Sequence, residues 1–330
     1  MYQLYQGSVL TTRIAVLCGG DSTERDISLA SGAAVFDALT ARGHLCQRID
    51  PARTNMLSVD WNAFELAFLA MHGTFGEDGT LQKLLEEIGI PFTGSDSRAS
   101  AQAFRKASAK EVFRRHNIAT PHSVLLHRNQ PRSTARSTVA DSLPFPVVVK
   151  PESQGSSVGV SLVRHADELE AALAVSFQFD ELALVEEYID GTEWTVAVLN
   201  GRALHPIRIR TDRPFYNFEA KYSDTATELQ TEHAEPAGVV ENIRRLGEDA
   251  AKSLRCSGAV RADIRLDRNC KPWALEVNTI PGMTSHSLLP LAAQQAGMTF
   301  CQLCESMIRA VIVPENPSSN TTPYPGRIRA

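Results

Sequence analysis

An apolar run, Pro272-Trp273-Ala274-Leu275, leads directly into Glu276-Val277-Asn278-Thr279-Ile280-Pro281-Gly282. The run reads as a buried strand. Its period of two puts the Glu276 and Asn278 side chains on one face at the strand's end. A carboxylate beside an amide oxygen is ligand chemistry for a hard cation, Mg²⁺ above all. Upstream, Arg261-Ala262-Asp263 closes another apolar run and offers a second carboxylate. The turn at Pro281-Gly282 presents a glycine N–H to an oxyanion, and a Ser/Thr-rich entry to a helix follows. Taken singly, Glu276 or Asn278 fits a polar turn between a strand and a helix. With Arg261 and Asp263 beside them, they read as a metal and oxyanion site.

The start of the chain sets the fold class. Residues 13–18 form a short apolar strand that runs into Gly19-Gly20-Asp21-Ser22-Thr23-Glu24, and residues 27–36 have helical spacing. Strand, glycine turn and helix make the front of an open α/β sheet, where ligands sit at the carboxyl ends of strands. The dinucleotide fingerprint G-x-G-x-x-G is absent there, and G-x-x-x-x-G-K-[ST] is absent throughout. A second strand, 64–71, ends in His72-Gly73 and Gly76-Glu77-Asp78-Gly79. His72 is either a ligand contact or a plain loop histidine, and its neighbours leave both open. A helix over 81–88 and the segment 89–94 close this first unit.

A helix is predicted over 106–116 and a strand over 123–126. The polar, arginine-rich stretch 130–142 is expected to be a mobile surface connection. Residues 145–151 form a buried strand with Lys150 at its end. Next comes Glu152-Ser153-Gln154-Gly155-Ser156-Ser157-Val158-Gly159, whose small residues let backbone N–H groups approach a phosphate. A buried lysine beside such a loop is nucleotide chemistry, which a plain hairpin does not require. After a strand at 160–163 and a helix over 166–176, the strand 182–189 carries Glu186 and Glu187. The strand 191–199, with Glu193, pairs through Asn200-Gly201 with residues 203–209. The three carboxylates are a solvated strand edge or acceptors for an adenine amino group and ribose hydroxyls. The long polar loop 210–235, dotted with Phe215, Tyr216, Phe218, Lys221 and Tyr222, is expected to be a lid. Helices are predicted over 236–256, 288–296 and 300–312, with a disordered tail from 314.

A net charge of −5 leaves no basic footprint for nucleic acid. No apolar run approaches the ~20 residues of a membrane helix, and the first residues lack the pattern of a secretory signal. Cys301 and Cys304 have C-x-x-C spacing, but no second pair or histidine cluster completes a zinc site. They are expected to pack as small apolar residues, in a reducing cytoplasm. The 330 residues suffice for two or three small domains.

Together Gly19-Gly20 with Ser22-Thr23-Glu24-Arg25-Asp26-Ile27-Ser28, His72-Gly73 with Gly76-Glu77-Asp78-Gly79, Gly155-Ser156-Ser157-Val158-Gly159, Glu219-Ala220-Lys221-Tyr222, and Asn278-Thr279-Ile280-Pro281-Gly282-Met283-Thr284-Ser285-His286-Ser287 resemble the D-alanine–D-alanine ligases. They occur in order and with compatible spacing over about residues 13–312. The resemblance implies a three-domain α/β ATP-grasp architecture. Its expected parts are an N-terminal open α/β substrate-binding domain (1–104), a central ATP-grasp subdomain (105–190), a C-terminal catalytic subdomain (191–313) and the tail (314–330). It implies ATP-dependent joining of two D-alanines through a D-alanyl phosphate, for peptidoglycan precursors.

By the same resemblance, Lys106 and Lys150 hold ATP phosphates under Ser156 and Ser157, and Lys221 reaches the transferred phosphoryl group. Glu186, the backbone of Glu187 and Ile189, and Glu193 take adenine and ribose. Asp263, Glu276 and Asn278 hold two Mg²⁺, with Mn²⁺ as a substitute. Glu24, with His72 nearby, takes the first D-alanine's ammonium. Arg261 and the Gly282 N–H form the oxyanion hole. Ser287 and Leu288, at a helix start, take the second D-alanine's carboxylate. Ser156 and Tyr222 link to Glu24 by hydrogen bonds that close the lid. Family members are commonly homodimers, so a homodimer is expected.

One departure stands out. The family usually has an acidic residue before the first of these lysines, and here it is Arg105. The local pairing made by that acid is therefore missing. The rival functions are D-alanine–D-lactate ligation, against which Lys221-Tyr222 speaks; an NAD-dependent oxidoreductase, against which the missing glycine fingerprint counts; and an inactive nucleotide-binding module. The complete set of metal ligands and Arg261 argues against the last.

Overall fold

Three β-sheets carry the chain in the computed structural model, which describes residues 11–211 and 227–312. Lys221, Tyr222 and the tail from 314 lie outside the described residues. In the first sheet β1 (Arg13–Leu17) runs between β2 (Leu45–Ile49) and β3 (Leu66–Leu69), all parallel. Ile14 to Leu17 are wholly buried, as a strand covered on both faces requires. Helix α1 (Arg25–Ala41) follows the glycine turn and is longer than the predicted 27–36, because Val35, Ala38 and Leu39 extend its buried stripe. Helices α2 (Thr80–Ile88) and α3 (Ser97–Phe104) complete this part. Sequence periodicity misses α3, whose buried face is only Ala99, Ser100 and Ala103. Its start is set by Asp96, which accepts the Ala99 N–H at 2.7 Å.

The second sheet is antiparallel, in the order β4 (Ser123–His127), β7 (Leu182–Glu187), β5 (Val147–Pro151), β6 (Ser161–Val163). Helices α5 (Arg132–Ser142) and α6 (Leu169–Ser176) pack on it, whereas Ala109, Val112 and Phe113 of α4 (Lys106–Arg115) join the core of the third sheet. Helix α5 corrects the expected mobile connection at 130–142. Ala135 and Val139, four apart, form a narrow apolar stripe that packs with Leu126, Leu143 and Val147. The arginines and hydroxyls that suggested a loop are its solvated side.

The third sheet is antiparallel, in the order β11 (Glu228–Gln230), β10 (Ile207–Arg210), β8 (Gly191–Leu199), β12 (Ala259–Asp267), β13 (Pro272–Asn278), with β9 (Arg202–Ala203) also on β8. The single strand predicted at 203–209 is split in two around Pro206, which has no N–H for the ladder. Strand β11 lies inside the stretch expected to be all loop, so the expected lid is shorter than 210–235. On one face Trp194, Val196 and Val198 of β8 pack with α7 (Ala237–Ser253), close enough that a Cβ on Gly247 would stand 2.6 Å from Val196. On the other face Ala197 and Leu199 meet α8 (Leu288–Gln295) and α9 (Phe300–Ile312). That alternation is the period of two in three dimensions.

The same core takes in Ile14, Val16, Val35, Leu39 and Phe68, so the first and third sheets share one interior. Arg42, at the end of α1, pairs with the largely buried Glu305 of α9 at 2.7 Å. Nearer the start of α1, Ser31 accepts the Met283 N–H at 3.1 Å, which ties the helix to the turn after β13. Cys304 is wholly buried in this core with Cys301 packed against it, as their apolar assignment expects. All six cysteines are free thiols.

Candidate active site

The β12–β13 ladder sets Asp263 opposite Glu276 and Arg261 opposite Asn278, so all four side chains occupy one face at the strands' ends. A bulge between Asp263 and Ile264 leaves Leu275 as the extra residue and turns the ladder there. Arg261 grips Asp263 with both arms, Nε to Oδ1 at 2.8 Å and Nη2 to Oδ2 at 2.7 Å. Thr195 donates to the same carboxylate at 2.8 Å. The Asn278 amide oxygen accepts the Ile280 N–H at 2.9 Å and shapes the turn. Among the described residues no group of three His, Cys, Asp or Glu side chains stands at metal-holding distance. The set is instead two carboxylates completed by an amide oxygen. Like charges directly opposite across a ladder repel, and a hard cation with oxygen ligands removes that conflict. These residues fit Mg²⁺.

Lys106 approaches from α4. Its Nζ donates to the Gln154 carbonyl at 2.5 Å and stands 3.5 Å from Glu276. Lys150 and Glu186, both buried, pair at 2.5 Å. Glu186 is also held at 2.7 Å by Lys110, which is wholly buried and donates to Thr120. Burial works against every charge in this triad, and the outcome differs by residue. It brings Lys110 down to about 8 despite Glu186. For Glu186 the two lysines outweigh burial and hold the carboxyl below its usual range. For Lys150 the attraction of Glu186 and Glu276 outweighs burial and raises the ammonium. Both oxygens of Glu186 thus face lysines, which sets the side chain between the phosphate and adenine roles expected around it. Glu193 stands 3.6 Å from Arg265, and the Ile189 carbonyl accepts from Arg265 at 3.2 Å. The Glu187 N–H is spent on the His122 carbonyl.

The loop after β5 reaches the first sheet. Ser156 and Ser157 both have positive φ, 51° and 56°, and Ser156 donates to the Glu24 carboxylate. A Cβ on Gly155 would stand 2.9 Å from the Glu24 carboxylate, so the loop and that side chain are in close contact. His72 is buried, with Nε2 3.2 Å from the Ser31 hydroxyl, which also accepts the Met283 N–H at 3.1 Å. Burial lowers its pKa although Glu24 pulls the other way, so the ring is neutral at neutral pH. Gly282 lies against Ser287, whose hydroxyl a Cβ there would meet at 2.6 Å. Ser287 precedes α8, and Leu288, its first residue, is buried. The Gly19-Gly20 turn is no phosphate cradle, because its N–H groups are taken by Ser28 at 2.8 Å and Asp50 at 3.0 Å.

The geometry therefore gathers Glu24, His72, Lys106, Lys150, Ser156, Arg261, Asp263, Glu276, Asn278 and Gly282 where three sheets meet. The described family "D-ala D-ala ligase C-terminus" matches residues 112–309, and "D-ala D-ala ligase N-terminus" matches residues 47–95. The chain belongs to the D-alanine–D-alanine ligase family. It is 43% identical to a D-alanine–D-alanine ligase of Alkalilimnicola ehrlichii over 88% of this chain and 92% of that relative. A solved D-alanine–D-alanine ligase from Bacillus anthracis superposes with a TM-score of 0.81 at 34% identity, over 92% of this chain and 98% of that one. The same enzyme complexed with ATP gives 0.79 at 31% identity, with the same coverage. The ATP-grasp fold expected from the sequence is thereby shown.

Three residues of this ligase-family site escaped the sequence. Lys110 has a legible signal, since it lies four residues after Lys106 on one helix face. Glu152 has none, because its partner is a distant helix end. Glu77 stands in a motif, yet its burial is a tertiary fact. Its Oε2 accepts the Gly73 N–H at 2.8 Å, while Oε1 is buried with no hydrogen-bond partner. Burial, and then the charge of Glu24, raise this carboxyl well above its usual range. A carboxyl raised on folding contributes stability below its unfolded value and loses it as pH climbs through the folded one. Glu77→Gln keeps the acceptor for Gly73 without the titration. Compared with the unmodified chain, the variant is expected to gain stability progressively as pH rises above the ordinary carboxylate range, with the gain vanishing near about pH 4. Urea unfolding across pH checks this, and a difference independent of pH contradicts it.

Proposed function

We propose that the chain joins two D-alanine molecules to D-alanyl-D-alanine, converting ATP to ADP and phosphate, in the cytoplasm and for peptidoglycan precursors. The observation that carries this is the facing of Asp263 with Glu276 and Arg261 with Asn278, within reach of Lys106. Amide formation in water needs an activated carboxylate. Transfer of the γ-phosphoryl group to the first D-alanine's carboxylate oxygen gives an acyl phosphate and ADP. The second D-alanine's amine, once deprotonated, attacks that carbonyl, and phosphate leaves from the tetrahedral intermediate.

Phosphoryl transfer is mostly positioning and charge neutralisation. Lys106 and Lys150 take that work with the N–H groups around Ser156 and Ser157, and Lys221 joins from the lid. Asp263, Glu276 and Asn278 would hold two Mg²⁺, or Mn²⁺ in their place, which would supply positive charge to offset that of the phosphates. Glu186, the backbone of Glu187 and Ile189, and Glu193 take adenine and ribose. Glu24 binds the first ammonium, with neutral His72 beside it. Arg261 and the Gly282 N–H meet the developing oxyanion, and Ser287 and Leu288 take the second carboxylate at the start of α8. Tyr222 completes the chain from Ser156 to Glu24 when the lid is shut. The domain division at about 104 and 190, and a homodimer, belong to the same proposal. Among the described residues no helix is long and apolar enough to cross a membrane.

D-alanine labelled with ¹⁸O in its carboxylate tests the route. One labelled oxygen is expected in the released phosphate. Unlabelled phosphate accompanying dipeptide formation contradicts the acyl phosphate.

A further inference from the structure

We propose that Glu152 is a positioning residue for the nucleotide site, its carboxylate capping α4 in place of residue 105 and thereby fixing Lys106 against the phosphate loop. The inference rests on the phosphate role proposed above for Lys106. A helix start leaves four N–H groups without intrahelical partners, and Ser, Thr, Asp or Asn at the N-cap ordinarily serves one of them. Here the N-cap is Arg105, with φ −86° and ψ 104°, and its side chain makes no cap bond. Its positive charge is also of the wrong sign for the positive end of the helix dipole.

Glu152 supplies what is missing from 45 residues away. Both of its carboxylate oxygens accept the Ala107 N–H at 3.1 Å, and its own carbonyl accepts the Lys106 N–H at 3.3 Å. The residue is only 4% exposed. A carboxylate this deep is costly unless it is hydrogen-bonded, and the helix end meets that need. Burial raises its pKa, with the Ala107 N–H and then Lys106 opposing.

The clasp runs both ways. Residue 152 takes the first two N–H groups of α4, and Lys106 returns its ammonium to the carbonyl of Gln154, next to Gly155. On the other side of this turn, Asp180 accepts the Ser153 N–H at 2.8 Å. The Lys106 ammonium, its approach to Glu276 and the entry to the Gly/Ser loop therefore share one fastening. Without Glu152 the first turn of α4 frays, and Lys106 loses its fixed place over the phosphates.

The test uses the full chain carrying Glu152→Ala, Glu152→Gln, Arg105→Asp, and Glu152→Ala with Arg105→Asp. Hydrogen exchange over residues 105–112 reads the cap, and equilibrium binding of Mg²⁺-ATP reads the position of Lys106. Glu152→Ala is expected to speed exchange in the first turn and weaken ATP binding by about three- to thirtyfold, the range a lost cap allows. Turnover at saturating ATP is expected to change less than the affinity, and Glu152→Gln to fall between the two. The decisive arm is rescue, because Arg105→Asp restores an acid at the N-cap and should recover most of the slow exchange and affinity lost in Glu152→Ala. Unchanged exchange or affinity in Glu152→Ala overturns the proposal, as does a double variant no better than Glu152→Ala. These readouts hold whatever the second substrate is. A chain that binds ATP but makes no dipeptide would count against the proposed function and not against this cap.

Discussion

Arg261→Ala lowers turnover by about 10²–10³-fold at saturating substrates, the loss typical of one removed oxyanion donor. The side chain is 10% exposed and bidentate to Asp263. Its removal takes away the candidate oxyanion donor and also the cation paired with Asp263, the carboxylate that faces Glu276 across the ladder. Thr195 still donates to Asp263 and the ladder itself is untouched, so the fold survives. Glu276→Gln is the companion variant. It removes one charge from the candidate metal set and abolishes most activity without unfolding the chain. Steady-state kinetics beside circular dichroism checks both. Near-normal turnover in either folded variant means that the end of β12–β13 is not the reacting centre.

Lys110→Met costs about 3–5 kcal/mol of folding stability, the usual loss when one partner of a buried ion pair is removed. Lys110 is wholly buried and ties α4 to Glu186 on β7. It also donates to Thr120, whose hydroxyl in turn donates to the Ala274 carbonyl of β13. Methionine keeps the length and most of the volume, so what disappears is chiefly charge. Glu186, itself buried, is left with Lys150 alone. Urea unfolding at neutral pH measures the difference, and a loss below about 1 kcal/mol would show that Lys150 suffices to hold Glu186.

The candidate site at the strand ends was legible in the sequence because its signal is local. Glu276 and Asn278 lie two apart on a strand, and Arg261 and Asp263 repeat that spacing on the preceding one, so a period of two puts each pair on one face, while the ladder register that brings the two pairs together is seen only in the fold. The long helices α1, α7 and α9 showed for a similar reason, each repeating its apolar stripe over several turns. Helix α5 did not, because two buried residues make a stripe too narrow to stand out among arginines and hydroxyls. Strand β2 was missed too, since it lies at a sheet edge with only Ile49 fully buried. The glycines at 19 and 20 suggested a ligand turn, yet Gly19 admits Asp50 to within 2.5 Å of a would-be Cβ and Gly20 admits Met71 to within 2.6 Å. The Glu152 cap and the Glu77 burial join residues whose proximity is created by folding, so no local pattern announces them.

The most direct test of the proposed chemistry is ADP release by the purified chain with Mg²⁺-ATP and D-alanine, set beside L-alanine and D-lactate. The expected result is rapid ADP formation with D-alanine, matched one to one by D-alanyl-D-alanine, and little with the other two. Well-folded protein that binds ATP but releases no ADP in response to D-alanine would contradict it.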